Sequence, residues 1–401
     1  MSYLLFITSI LSITIMTYGL HFDRNKVKIE FPYEWKYVDF VWDCEQQKHK
    51  AIDSGDYNAS ACLLHDVDKA PDGRVFVAGY KTKGSPVGVM TVSNEEGDGG
   101  PLLRPYPNWD WWSDCESNKC ITGFYRLRIK CNHLFVVHSG KFRDRDKVCP
   151  ARLLIFDLST DKLIKKITIP FDIANNKNGS GLLMTSYVYT DNCNDIANTA
   201  IIYITDTEGY GLIIYDARNS TFCRIESDFM KPKDTIFITK DKTFNLTEGI
   251  FSLAIINKDL YFADASGINI YKVKKSKLQC PLSIDEANQA IKVAATLSGQ
   301  INAVAAKDCA IFFVNVPEGS ILCADSSKEI NSENTVILAQ NTKKLILQSA
   351  LKVQGDELIG MTNNYHHFLM GTSSIKEINF RIFVMNIMEI QSRTKCFASC
   401  K

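Results

Sequence analysis

His138, the pair His366-His367 and the cluster Trp109-Asp110-Trp111-Trp112 are the residues whose types most readily suggest chemistry. An imidazole at the end of an apolar run, as His138 is, can serve as an acid or base near neutral pH, or can be solvated or hydrogen-bonded within the fold. Two adjacent histidines could ligate a metal, but neighbouring residues of a strand point to opposite faces, which favours loop surface. Three indoles interrupted by an aspartate fit a loop that covers an edge of the core or touches a ligand. The chain lacks His-Glu-x-x-His, Gly-x-Ser-x-Gly and the phosphate loop Gly-x4-Gly-Lys-Ser/Thr, and Gly209-Tyr210-Gly211 sits in a hairpin with no helix after it. No cofactor or metal is expected.

The elements that must position these residues follow a repeated pattern of apolar run, polar turn and apolar run. It occurs at 75–77 to 88–92, 134–137 to 153–157, 202–204 to 212–216, 260–263 to 268–271, 311–314 to 321–323 and 358–361 to 380–384. A single hairpin cannot bury its own apolar faces, so neighbours must stack, and a closed ring protects the terminal sheets. The expected fold is all-β, a six-bladed β-propeller of four-stranded antiparallel sheets at roughly 60 residues per blade. Ser283 with Glu286 forms a capping-box pattern over the one helix expected, between blades four and five.

Residues 4–16 are apolar and precede Thr17-Tyr18-Gly19, a pattern of a cleaved secretory leader over 1–19 with one propeller domain over 20–401. A membrane anchor is the alternative, but the run is short against the ~20 residues of a span. Thirteen cysteines suit an oxidising compartment, and their odd number leaves at least one thiol free or joined to another molecule, so oligomerisation is open. Cys44 with Cys62 and Cys115 with Cys149 are candidate pairs. Sequons at Asn58, Asn178, Asn219 and Asn245 agree with export to an extracellular location. With 46 basic against 45 acidic residues and a formal charge of +1, the chain offers no field for a polyanion, and nucleic acid is not an expected partner.

Several longer stretches resemble the Yellow and major royal jelly protein family: Glu34-Trp35-Lys36-Tyr37-Val38-Asp39-Phe40, Ala51 to Asn58, Gly97 to Trp109, Asp66-Val67-Asp68, Cys149 to Leu158, Glu248-Gly249-Ile250-Phe251 and Asn379-Phe380-Arg381-Ile382. The N-terminal wording is nearer the royal jelly branch. The resemblance implies a secreted, glycosylated six-bladed propeller with bridges Cys131–Cys193 and Cys323–Cys396. It further implies a non-enzymatic protein that holds a small ligand, a biogenic amine or a sterol, or that serves as an abundant secretory or nutritive protein. The positions matching the family's amine site are Ser349, Asn363 and Tyr365; ordinary blade residues are the competing reading. Where the family usually has an acidic residue, this chain has His138. The alternative function is dopachrome conversion in melanin metabolism, with His138 and Tyr365 as proton shuttles. Propellers of more distant likeness hold a channel calcium ion, which would implicate Asp206, Glu208 and Asp264; turn carboxylates on separate blades explain them equally.

Overall fold

A computed structural model describes residues 27–112, 121, 123–140, 149–239 and 242–400. The expected leader, and Cys115 of one candidate cysteine pair, lie outside them. Six four-stranded antiparallel sheets form the blades of a propeller. In each, the two central strands are one of the hairpins legible in the sequence; in blade five these are Ala310–Asn315 and Ser320–Asp325, buried at every position. Outer strands differ: Lys162–Thr168 alternates exposed and half-buried residues, because only one face meets a neighbouring blade. Tight turns between strands use Asn and Asp in the left-handed region, as at Asp161 (φ 53°), Asn257 (φ 55°) and Asp308 (φ 54°), where short polar side chains carry little strain.

The ring closes by a strand exchanged between the termini. Ile29–Trp35 is the outer strand of blade six, paired with Phe380–Asn386 so that Trp35 faces Phe380 and Ile29 faces Met385. Trp35 is fully buried and its indole N–H donates to the Pro101 carbonyl at 2.7 Å, tying that blade to blade one. After the last strand, a helix at Ile387–Arg393 is capped by Asn386, whose side chain accepts the Glu389 N–H. The tail then returns to blade five through Cys323–Cys396 and Cys309–Cys400, two bridges on one neighbouring sheet. Cys131–Cys193 joins blades two and three, and Cys223–Cys280 fastens the segment before the helix Ile284–Ala290. That helix carries the capping box expected of it.

Three features depart from the sequence reading. Helices also form at Glu45–Asp53, Tyr365–Leu369 and Ile387–Arg393, so the loop decoration is not confined to one segment. Cys44 and Cys62 are not paired: Cys44 is exposed before the first of these helices, while Cys62 is buried with its thiol near the Gly84 carbonyl. Burial pushes that thiol up to about 12, where it is inert. Finally, a small hairpin, Ile236–Thr239 with Lys242–Asn245, is inserted between blades three and four. Its Phe237 is buried in the apolar cluster of blades five and six with Val314 and Leu345, and Gln300 Nε2 donates to the Ile236 carbonyl at 2.8 Å.

The two tail bridges close overlapping loops and are therefore not additive. Replacing Cys323 and Cys396 by Ala should destabilise only modestly while Cys309–Cys400 persists. Removing all four cysteines should cost about 2–5 kcal/mol. Guanidinium denaturation of the disulfide-bonded protein distinguishes the two variants.

Candidate functional site: the central axis

Each inner strand of the propeller pairs on one side only, so its other edge presents N–H and C=O groups to the axis. A buried backbone group without a partner costs about 1–3 kcal/mol, and the sequence must answer for each of them. It does so with polar residues on the neighbouring inner strands. Asp66 and Asp68 of Leu64–Lys69 accept the N–H groups of Leu127 (2.9 Å) and Ile129 (2.8 Å) in the inner strand of blade two, Phe124–Lys130. From blade six, Lys352 donates to the Leu127 carbonyl at 2.6 Å and Gln354 to the Ile129 carbonyl at 2.9 Å. The same two side chains bind Asp66 (2.6 Å) and Asp68 (2.5 Å), which knits blades six, one and two into one network. Elsewhere on the axis Ser252 pairs with the Val304 N–H at 2.9 Å, Asn302 donates to the Gln348 carbonyl, and Asn363 donates to the Leu64 carbonyl at 2.9 Å.

The end of the axis where the inner strands begin, called upper below, is more aromatic. His65 Nε2 is hydrogen-bonded to the Tyr125 carbonyl, which can only accept, so the proton sits on Nε2. Burial, reinforced by the nearby Arg126 cation, pushes the imidazole down to about 3, and it is neutral at physiological pH. Its ring stacks on Tyr80 at 4.2 Å, and Tyr80 meets Tyr125 edge to face. Arg126, buried, lies 4.0 Å over the Phe251 ring, donates to the Ser349 carbonyl, and stands 3.9 Å from Asp66. Burial lowers its guanidinium from the usual range. Leu182, Met184 and Ala265 complete an apolar collar drawn from blades three and four.

Ser349, Asn363 and Tyr365 all occupy the upper end of blade six. Ser349 is the bulge residue between Gln348 and Ala350, and Asn363 pairs with Leu347 across the hairpin. Asn363 Oδ1 accepts the Tyr365 N–H at 3.2 Å, while its amide is committed to Leu64. Tyr365 opens a short helix and meets Phe244 of the inserted hairpin edge to face at 6.3 Å. His366 and His367 belong to that helix and not to a strand; His366 is buried, and the two rings lie 4.2 Å apart. They border a cleft of about 240 Å³ with Thr239, Asn364 and Glu377.

The remaining candidates separate. His138, buried in blade two, accepts the Gly140 N–H at Nδ1. Trp109 stacks on Trp42 at 4.7 Å, Trp111 meets Phe156 of blade two edge to face, and Trp112 donates to the Tyr106 carbonyl, so the indoles cover the flank of blades one and two. Asp206, Glu208 and Asp264 do not converge with other ligands; among the described residues no three His, Cys, Asp or Glu side chains gather as a metal site. Asp206 instead pairs with Arg224 at 2.9 Å and accepts the N–H groups of Leu182 and Gly209. Asp264 holds the equivalent strand end in blade four without an arginine, and burial pushes its carboxyl up to about 7. The four sequon asparagines are all exposed. Of the residues that sequence reasoning passed over, Arg126, Lys352 and Gln354 carried a signal, charged or amide residues at alternate positions of largely apolar inner strands, whereas His65, next to Asp66, carried none.

A six-bladed propeller whose axis is filled by edge-capping side chains defines the class of this protein. The chain belongs to the major royal jelly protein family, whose sequence profile matches residues 122–396. It is 31% identical over 392 residues to major royal jelly protein 8 of Apis mellifera, covering 91% of this chain and 92% of that one. Against major royal jelly protein 9 of the same bee it is 31% identical over 387 residues, covering 91% and 89%. Among solved structures, a luciferin-regenerating enzyme overlays with a TM-score of 0.45 at 9% identity, covering 90% of this chain and 95% of that chain. Among the described residues no helix is long and apolar enough to cross a membrane.

Two outcomes test this electrostatic picture. Lys352→Met leaves the buried Asp66 with only the Leu127 N–H and the more distant Arg126 cation and should cost about 3–5 kcal/mol, with part recovered in the double variant with Asp66→Asn, as urea denaturation would measure. For Asp264, the folded pKa lies above the unfolded value, so its contribution to stability is present at low pH and is lost as pH rises through about 7. Asp264→Asn should therefore change stability little at pH 4 and raise it by on the order of 2–4 kcal/mol at pH 8.5.

Proposed function

We propose that this is a secreted, non-catalytic propeller that receives a small apolar or aromatic molecule at the upper end of its axis, and that can also serve as an abundant secretory protein. The observation that carries the reading is the collar of Tyr80, Tyr125, Phe251 and Met184 beside the polar positions Ser349 and Asn363. Aromatic walls with few hydrogen-bonding groups suit a ligand whose affinity comes from buried apolar area. Arg126 favours a neutral, sterol-like molecule over a biogenic amine, because its guanidinium binds the Ser349 carbonyl and would face a ligand ammonium at short range. Membership of the royal jelly family supports the extracellular location, and exposed sequons at Asn58, Asn178, Asn219 and Asn245 are available to glycan transfer.

Native mass spectrometry of the protein as secreted, followed by calorimetry with cholesterol, serotonin and dopamine, tests this reading. A sterol adduct and saturable sterol binding that weakens at least tenfold in Phe251→Ala are expected. Binding of serotonin alone would move the ligand class to amines. Silence from all three, or dopachrome turnover that disappears in His138→Ala, would overturn the proposal.

A further inference from the structure

The opposite, lower end of the axis has an excess of positive charge that the fold does not use. Its inner strands finish at Lys69, Lys130, Lys307 and Gln354, among others. Most of the charges here are spoken for. Lys69 pairs with Glu357 at 2.7 Å, and Asp68 is taken by Gln354 and the Ile129 N–H. Lys307 donates to the Gly355 carbonyl at 3.1 Å and stands 3.9 Å from Asp356.

Arg128 and Lys130 are the exceptions. Among the described residues, the Arg128 side chain makes neither a hydrogen bond nor an ion pair; it lies 4.8 Å over the Tyr187 ring, and its Nε is buried without a partner. Lys130 lies two residues beyond Arg128 on the same strand and ends it at the same end of the axis as Lys307 of the opposite blade five; burial lowers its ammonium from the usual range, those two cations lower it further, and among the described residues only Lys307 of the three has a carboxylate, Asp356, within 4 Å. A guanidinium edge buried without an acceptor, next to an ammonium held among like charges, is an unfavourable arrangement unless something anionic joins it. Three half-buried cations on two opposite blades, with a tyrosine face as wall, offer that partner a forked donor and two point charges.

We propose that the lower end of the axis is a binding site for a small oxyanion, a phosphate or a carboxylate, held by Arg128, Lys130 and Lys307. The site is separate from the aromatic collar and does not depend on what binds there. Arg128, held against the Tyr187 ring, supplies guanidinium N–H donors, and Lys130 and Lys307 add positive charge.

Titration calorimetry of the full secreted chain with inorganic phosphate and with citrate, in low-salt chloride buffer, tests it. One anion per chain should bind, at least tenfold more weakly in Arg128→Gln and in Lys130→Gln, and unchanged in Lys274→Gln, an exposed lysine of blade four. Phosphate alone or citrate alone identifies which oxyanion the site takes. Without anion, Lys130→Gln should melt at the same or a higher temperature than the parent, since it removes repulsion, and added phosphate should raise the melting temperature of the parent only. Absence of binding by both anions, or equal affinity in Lys130→Gln, would overturn the proposal.

Discussion

The unpaired inner edge of each blade is the constraint on which the rest of this structure depends. A propeller solves the edge problem at its rim with solvent and at its termini by closing the ring, but around the axis the edges face one another in a buried space. Here Asp66, Asp68, Lys352 and Gln354 satisfy the edge of blade two from both sides, at the seam where the two ends of the chain meet. The two aspartates and Lys352 are of opposite charge, Gln354 is a neutral donor, and all four also bind backbone groups, so the network sets the register of three blades at once. Removing any one member leaves both a charge and an amide unanswered.

That constraint shapes what the axis can do. Groups that elsewhere would suggest acid–base chemistry, two aspartates, a lysine, an arginine and a histidine, are here engaged with main-chain atoms, and His65 is held neutral. The chemistry left over lies at the two ends. The upper end is aromatic and apolar, with polar atoms of blade six at its margin, and suits a ligand recognised by shape and area. The lower end retains cations without counter-charges. One scaffold thus offers two surfaces of different character on a common axis, and the staples of the C-terminal tail keep blades five and six in place around both.

The sequence disclosed the blades because their central hairpins are local: Ile201–Asp206 and Gly211–Asp216 are separated by a short turn, and each carries a run of apolar residues. It disclosed less of what closes them. The pairing of Ile29 with Met385 and the contact of Lys352 with Asp66 join residues some 300 positions apart, and no local pattern marks such partners. Asp66-Val67-Asp68 was visible as a motif, yet its meaning required knowing that Leu127 and Ile129 turn their N–H groups toward the axis. The inserted hairpin has strands of four residues each, too short for a period to emerge, and nothing local in His366-His367 marks the single helical turn that follows the strand.

Amide hydrogen exchange at Leu127 and Ile129 tests the central claim most directly. Neither N–H has a strand partner on the axial side, so only the aspartates of blade one protect them. The account predicts that both exchange as slowly as the central strands of blade two, through global opening, and that Asp66→Asn speeds Leu127 far more than Ile129. Exchange of both amides within seconds in the intact protein would contradict it.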